Sequence, residues 1–483
     1  MTGRVAPPVA RTHVVLAVVL ITAFGAALRL RGLGFDSLWL DEAVTWMQTR
    51  NGVVNAVLET ASDTYPPGYN IFTALAVSLL GEDEWVLRLP AAIFGALAIP
   101  AVYWLGSLSA GRHAGFIGAI LVALSSFAIY YSQEARMYSL LMFAAALTTA
   151  ASISYVAKPT LGRAAVIALG GVALLYSQPF GALSWLSLGG MSVIVLIAKR
   201  AGMRAILGCI AAFAAAFLLF TPWLFITLGV ARDLRENGFW IPPLQGMTPF
   251  AGLAQISGSW LQFAFVILGC LVSFLFWFKR QVAPSRLLGG DKPVPRSISA
   301  PILLASAFGP WAAAIVISLT IMPLFVSRYL ICCLPALLVL TAIGYAELAE
   351  RGRVALAAVT ALLTMWLVPA GASDSASRNG QNVRALGEDL NYQMTTGDCL
   401  IVLEPYQASS VRYYLDQSPA CDLTETDPGK LGSALPEGAR LFVADLSVDA
   451  RYIKQLTETL GGSWNATRRF GGSTWLAIRE PSP

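Results

Sequence analysis

Apolar runs recur along most of the chain, separated by short polar loops, and those of about 18 to 23 residues are long enough to cross a hydrocarbon core as helices. In order they predict membrane helices over residues 13–30, 89–108, 115–131, 137–156, 164–177, 181–198, 205–230, 256–278, 301–321, 329–345 and 354–369. Residues 70–80 are apolar too, but as a helix they reach only about 18 Å, short of a core of about 30 Å, and read as an interfacial helix. Beyond residue 370 the pattern changes to shorter alternations. A helix is expected over 382–394, strands over 399–403, 411–415 and 440–444, a helix over 450–460 and a last strand over 474–479.

The basic residues give this series a direction. Alternate loops collect Arg112; Lys158 and Arg163; Lys199, Arg200 and Arg204; Lys279, Arg280, Arg286, Lys292 and Arg296; Arg351 and Arg353, while Arg4 and Arg11 lie in the amino terminus. By the positive-inside bias these positions are cytoplasmic. A basic leader without a small-residue cleavage site makes 13–30 a retained helix. About eleven helices that start inside end outside, so the tail is expected outside. The resulting expectation is an α-helical polytopic membrane domain, residues 1–370, with a first outer loop over 31–88 that carries interfacial helices. A small extracytoplasmic α/β domain follows over 371–483.

Composition agrees with a membrane chain: 56% hydrophobic, 13% charged, mean hydropathy +0.64. The net charge of +5 is spread over the inside loops and gives no footprint for nucleic acid. Cys209, Cys270, Cys332 and Cys333 lie in apolar runs as small core residues, without ligand spacing. Cys399 and Cys421 fall in the tail, where an oxidising compartment makes a disulfide the expectation.

Against this background two adjacent acids stand out, in Leu38-Trp39-Leu40-Asp41-Glu42-Ala43, just past the first membrane helix. An acid at a membrane helix centre costs roughly 2.5 to 3.5 kcal/mol, so carboxylates at the boundary suggest function, although the first turn of an interfacial helix also favours negative charge. The helix parity puts further polar groups on the same face: Arg88, the segment Gln133-Glu134-Ala135-Arg136-Met137-Tyr138, the step Arg328-Tyr329, and Tyr65-Pro66-Pro67-Gly68-Tyr69. Acids and arginines gathered at one face suit displacement at a carbon bearing a lipid phosphate. A carboxylate takes the proton of an acceptor hydroxyl while guanidinium forks hold the phosphate. Trp39, Trp46, Tyr65, Tyr69, Tyr138 and Trp240 offer flat walls for a sugar, and equally fit an interfacial aromatic belt.

These segments, in this order, resemble the protein O-mannosyltransferase and aminoarabinose-transferase class of GT-C fold membrane glycosyltransferases (family 39 and relatives). The resemblance implies a sugar donor on a polyprenyl monophosphate and an inverting transfer to an envelope lipid, glycan or protein. It makes Asp41 the general base beside Glu42, and places Tyr65, Arg88, Gln133, Glu134, Arg136, Tyr138, Arg328 and Tyr329 in substrate binding. Tyr65 stands where the family often carries His or Lys. A divalent metal is left open as a cofactor. The implied location is a bacterial inner membrane, with the site facing out and the tail serving acceptor recognition or as a lid. The alternatives are a polyprenyl-linked transporter or flippase, expected to carry internal repeats and midplane charges, and a non-catalytic lipid-binding relative, expected to lack the acid pair.

Overall fold

The computed structural model describes residues 8–237, 241–277, 293–350, 381–403, 407–416, 419, 421–422, 440–446, 453, 464, 467–470 and 473–479. These divide into two compact units. One comprises Met1–Arg31, Gly52–Ala76 and Arg88–Pro369, the other Gly32–Asn51, Val77–Leu87 and Ala370–Pro483. The expected helices 354–369 and 450–460 and residue Trp240 lie outside the described residues, apart from Ile453.

The chain runs through α1 Pro8–Leu30, α2 Leu40–Thr49, α3 Val53–Thr60, α4 Gly68–Leu80, α5 Glu84–Ala110, α6 Arg112–Leu124, α7 Ser126–Ser132, α8 Tyr138–Ala157, α9 Leu161–Ser177, α10 Pro179–Ala198 and α11 Met203–Asn237. Then come α12 Thr248–Ser257, α13 Trp260–Val272 with a π-helical turn Ser273–Trp277, α14 Arg296–Thr320, a 3-10 turn Ser327–Cys332 and α15 Leu334–Glu350. Among the described residues six helices are long and apolar enough to cross a membrane, or up to eight if each bent pair is one span. The 13-residue α4 is not one of them, in keeping with its reading as too short.

The first unit is built around α8, which is buried almost throughout and packs against α9, α10, α14 and α15. A helix apolar on every face is a buried helix, and its hydroxyls are turned inward: Thr148 and Thr149 donate to carbonyls one turn back, and Thr149 meets Ser306 at 2.8 Å. Two expected helices are broken. The run 115–131 bends by 57° at Ser125, which is extended and caps α7 by accepting the Ala128 N–H. The run 256–278 starts earlier, at Thr248, and turns by 91° at Gly258-Ser259. Gly258 has φ +108°, which a side chain would strain, and Ser259 caps the next helix by accepting the Gln262 N–H.

The second unit carries α2 together with the tail: α16 Val383–Gln393, α17 Ala408–Arg412, and a five-stranded sheet of β1 Cys399–Val402, β2 Cys421–Asp422, β3 Leu441–Asp445, β4 Arg468–Arg469 and β5 Trp475–Arg479. The order is β2-β1-β3-β5-β4, with β1 parallel to β2 and β3 and β5 antiparallel to β3 and β4. The period of two splits the core. Leu400, Val402, Phe442, Ala444, Leu476 and Ile478 face α16 through Val383, Leu386 and Leu390, while Cys399, Ile401, Leu441, Val443 and Ala477 fill the other face. Residues 411–415, read as a strand, lie at and beyond the end of α17, because Ala408 and Val411 bury themselves at helical spacing. Cys399 is disulfide-bonded, and its register partner on the neighbouring strand is Cys421.

Candidate functional site

In the first unit, segments from three parts of the sequence come together. Tyr65, before α4, and Tyr329, in the 3-10 turn, share a hydrogen bond between hydroxyls at 2.7 Å. The Arg136 guanidinium carbon lies 4.7 Å from the Tyr65 ring centre, and that of Arg328 lies 5.8 Å from Tyr329 and 6.0 Å from Tyr138. Tyr138 stacks on Tyr329 at 6.3 Å, with Phe180 behind. Tyr138 is fully buried, its hydroxyl has no hydrogen-bond partner among the described residues, and Tyr65, Arg136, Arg328 and Glu134 act on it electrostatically. Two guanidinium groups and the Glu134 carboxyl thus stand by an aromatic wall. Ring faces attract a guanidinium through the ring quadrupole, and its planar fork matches the geometry of a phosphate.

Gln133 turns the other way. Its Nε2 donates to the carbonyls of Leu28 and Arg31 at 3.2 and 2.8 Å, tying the loop after α7 to the end of α1. Arg88 is buried in α5. One arginine that sequence reading passed over sits beside this loop. Arg29 is completely buried: its Nε donates to Ser132 Oγ at 3.2 Å, Nη1 to the carbonyls of Gly25 and Ala123 at 2.9 and 3.2 Å, and Nη2 to that of Val122 at 2.9 Å. Val122 and Ala123 end α6, whose last carbonyls lack intrahelical partners, so the guanidinium caps the break before α7. Gly95 of α5 makes room, since a Cβ there would lie 2.0 Å from Ser132 Oγ. The available signal was a basic residue inside the apolar run of α1.

Asp41 and Glu42 belong to the second unit, in the first turn of α2. Glu42 is buried and Asp41 half-exposed. The N-cap residue Trp39 supplies no side-chain cap, so the helix takes its anchorage from tertiary contacts. Leu38 N–H donates to Tyr414 Oη at 2.7 Å, and Tyr414 donates to Glu84 Oε1 at 3.1 Å. Arg384 binds the same Glu84 oxygen through Nη2 at 2.7 Å and Nε at 3.1 Å, and reaches the carbonyls of Gly34 and Phe35. Ser37 Oγ donates to Gln381 O at 3.1 Å and accepts Val383 N–H at 3.3 Å. Further along α2, Trp46 donates to Glu82 at 2.6 Å and meets the Tyr413 ring edge-on at 5.1 Å. Trp46 and Tyr69, read as sugar walls or belt residues, are both buried. Burial and the nearby Glu84 raise the Tyr414 pKa, so its hydroxyl stays a donor at neutral pH.

Among the described residues no three His, Cys, Asp or Glu side chains group so as to hold a metal ion. A family model described as dolichyl-phosphate-mannose-protein mannosyltransferase matches residues 64–226, which includes Tyr65, Arg88 and the segment Gln133 to Tyr138. No curated protein matches the sequence. The fold is similar to that of ArnT from Cupriavidus metallidurans in the apo state, at TM-score 0.64 and 14% identity, over 95% of this chain and 97% of that one. The same protein bound to undecaprenyl phosphate aligns at TM-score 0.59 and 15% identity, over 95% and 97%. The archaeal oligosaccharyltransferase AglB from Archaeoglobus fulgidus, in complex with an inhibitory peptide and a dolichol-phosphate, aligns at 0.60 and 13% over 94% of this chain and 69% of that one. In fold, and over residues 64–226 in sequence, this chain resembles the GT-C membrane glycosyltransferases.

Proposed function

We propose that the chain moves a sugar from a polyprenyl monophosphate to an acceptor hydroxyl on an envelope lipid, glycan or protein, outside a bacterial inner membrane. The observation that carries this reading is the cluster of Tyr65, Arg136, Tyr138, Arg328 and Tyr329, an aromatic wall that holds two guanidinium groups. The polyprenyl phosphates bound by ArnT and AglB support the donor class. In the step, the bond from the anomeric carbon to the phosphate oxygen breaks and one to the acceptor oxygen forms on the opposite face. The acceptor proton goes to Asp41, and the arginines, with Arg88, stabilise the charge left on the polyprenyl phosphate. Glu42, buried beside the more open Asp41, is the less critical of the two and serves in helix capping or in orienting a neighbouring arginine. The apolar runs and the change of pattern after them support about eleven spans and a domain boundary near residue 370, and the charge bias of the loops supports an extracytoplasmic tail.

Mass spectrometry of envelope lipids, glycans and proteins from cells with and without the gene is the test. One sugar missing from one acceptor is expected, restored by the wild-type chain and not by Asp41→Asn. An unchanged envelope refutes the transfer, and full restoration by Asp41→Asn removes Asp41 as base. Cysteine labelling from outside should reach position 41 and the exposed position 247 alike; opposite sides would overturn the topology.

A further inference from the structure

We propose that the tail is the positioning device for the base, with Tyr414, Arg384 and Ser37 fixing the turn that launches α2 and so setting where the Asp41 carboxylate stands. This rests on the reading of Asp41 as base. A ten-residue helix does not hold itself together in water, and α2 has no side-chain N-cap to fix its start. Its first turn is anchored instead by what precedes it. Gly34, Phe35, Ser37 and Leu38 each hydrogen-bond to the tail, through Arg384, Gln381, Val383 and Tyr414. The Arg384 and Tyr414 bonds converge on a single point: the Glu84 oxygen that accepts from Arg384 also accepts from Tyr414, which in turn accepts the Leu38 N–H.

Asp41 follows Leu38 by three residues, so a shift of that peptide moves the carboxylate directly. The opposite end of α2 is gripped as well, by Trp46 against Tyr413 and Glu82, while Tyr413 donates to the Glu82 carbonyl at 2.7 Å. Held at both ends, the helix has neither freedom to tilt nor freedom to slide. The tail thereby acts on the rate and not on acceptor choice, in contrast to the lid or acceptor-recognition role that its place in the sequence suggests. Tyr414 and Arg384 are positioning residues, because they touch the segment that carries the base and not the reacting atoms.

The test uses the full chain in nanodiscs. The donor probe is undecaprenyl monophosphate bearing the sugar that the envelope spectra identify, with its matched acceptor. Tyr414→Phe removes one hydroxyl and keeps the ring. It should lower single-turnover transfer about ten- to a hundredfold, the scale set by a misplacement near 1 Å, with the donor KM unchanged. Ser37→Ala, which leaves Tyr414 in place, should give the same split and carries the test if Tyr414→Phe does not fold. The decisive readout is the double variant: in Asp41→Asn the residual rate should not fall further on adding Tyr414→Phe, because there is no base left to position. Wild-type transfer by both single variants, or a second loss of the same size in the Asp41→Asn background, overturns the proposal. If Asp41→Asn alone transfers normally, it is the reading of the base that fails, which this cycle reports separately.

Discussion

Replacing Arg29 by methionine tests the most deeply buried charge in the first unit. Among the described residues the guanidinium bonds to neutral acceptors, three carbonyls and one hydroxyl, so its removal also relieves the cost of burying a cation. What is lost is decided by the partners left behind. The Gly25 carbonyl lies within α1 and keeps its helical bond, and Ser132 Oγ still donates to Ala128 O and accepts from Ser139. The Val122 and Ala123 carbonyls have no such reserve at the end of α6. Two orphaned buried acceptors at about 1 to 3 kcal/mol each, partly offset by the relieved charge, give a net loss of about 1 to 4 kcal/mol. Lysine keeps the charge but not the fork, and should fall between methionine and wild type. The assay is reversible unfolding of the purified chain in bicelles with increasing SDS fraction. Arg29→Met within about 0.5 kcal/mol of wild type would show that the cap at the α6–α7 break carries no weight.

Three further outcomes follow from the geometry. Tyr65→Phe and Tyr329→Phe, alone and together in the same unfolding assay, should give a coupling energy of about 0.5 to 1.5 kcal/mol, and additivity would mean the 2.7 Å hydroxyl pair does not form. Gly95→Ala puts a methyl against Ser132 Oγ and should destabilise by about 1 to 3 kcal/mol, whereas a neutral result would show that α5 gives way. Asp398 is opposed by burial, but Arg440, at 2.7 and 3.2 Å, and the Thr395 N–H and hydroxyl hold its pKa below the usual 3.8. A depressed carboxyl pKa stabilises the fold above the unfolded value and loses that contribution as pH falls through the folded one. Stability followed from pH 7 to 3 should therefore drop below about pH 4 in the wild type, and an identical drop in Asp398→Asn would exclude this carboxylate as its source.

Much of the membrane part was legible because apolarity over a helix length is a strong signal. The run expected over 137–156 appears as Tyr138–Ala157, and the one over 301–321 as Arg296–Thr320. The breaks at Ser125 and Gly258 were hidden because serine and glycine barely lower the hydropathy of a window, although Gly258-Ser259 does spell a helix stop followed by a cap. Val411 misled because five residues cannot separate a strand from a buried helical turn. Of the site, the motifs around Tyr65, Arg136 and Arg328 were visible as polar interruptions. That Gln133 would be spent on carbonyls at the end of α1 was not, nor that Arg384 would bind Glu84. Such partnerships depend on tertiary neighbours and leave no local pattern.

The interleaving of the second unit has a consequence in time. Arg384 and Glu84 are 300 residues apart in the chain, so the segments around α2 leave the ribosome long before the part that secures them. At about 5 to 20 residues per second, that interval lasts about 15 to 60 seconds. During it most of the apolar helices are still being made, and the turn ahead of Asp41 lacks its Arg384 and Tyr414 partners. A stretch made some 300 residues later is what completes this unit, so a chain that stalls before Arg384 stays unfinished at its acidic helix.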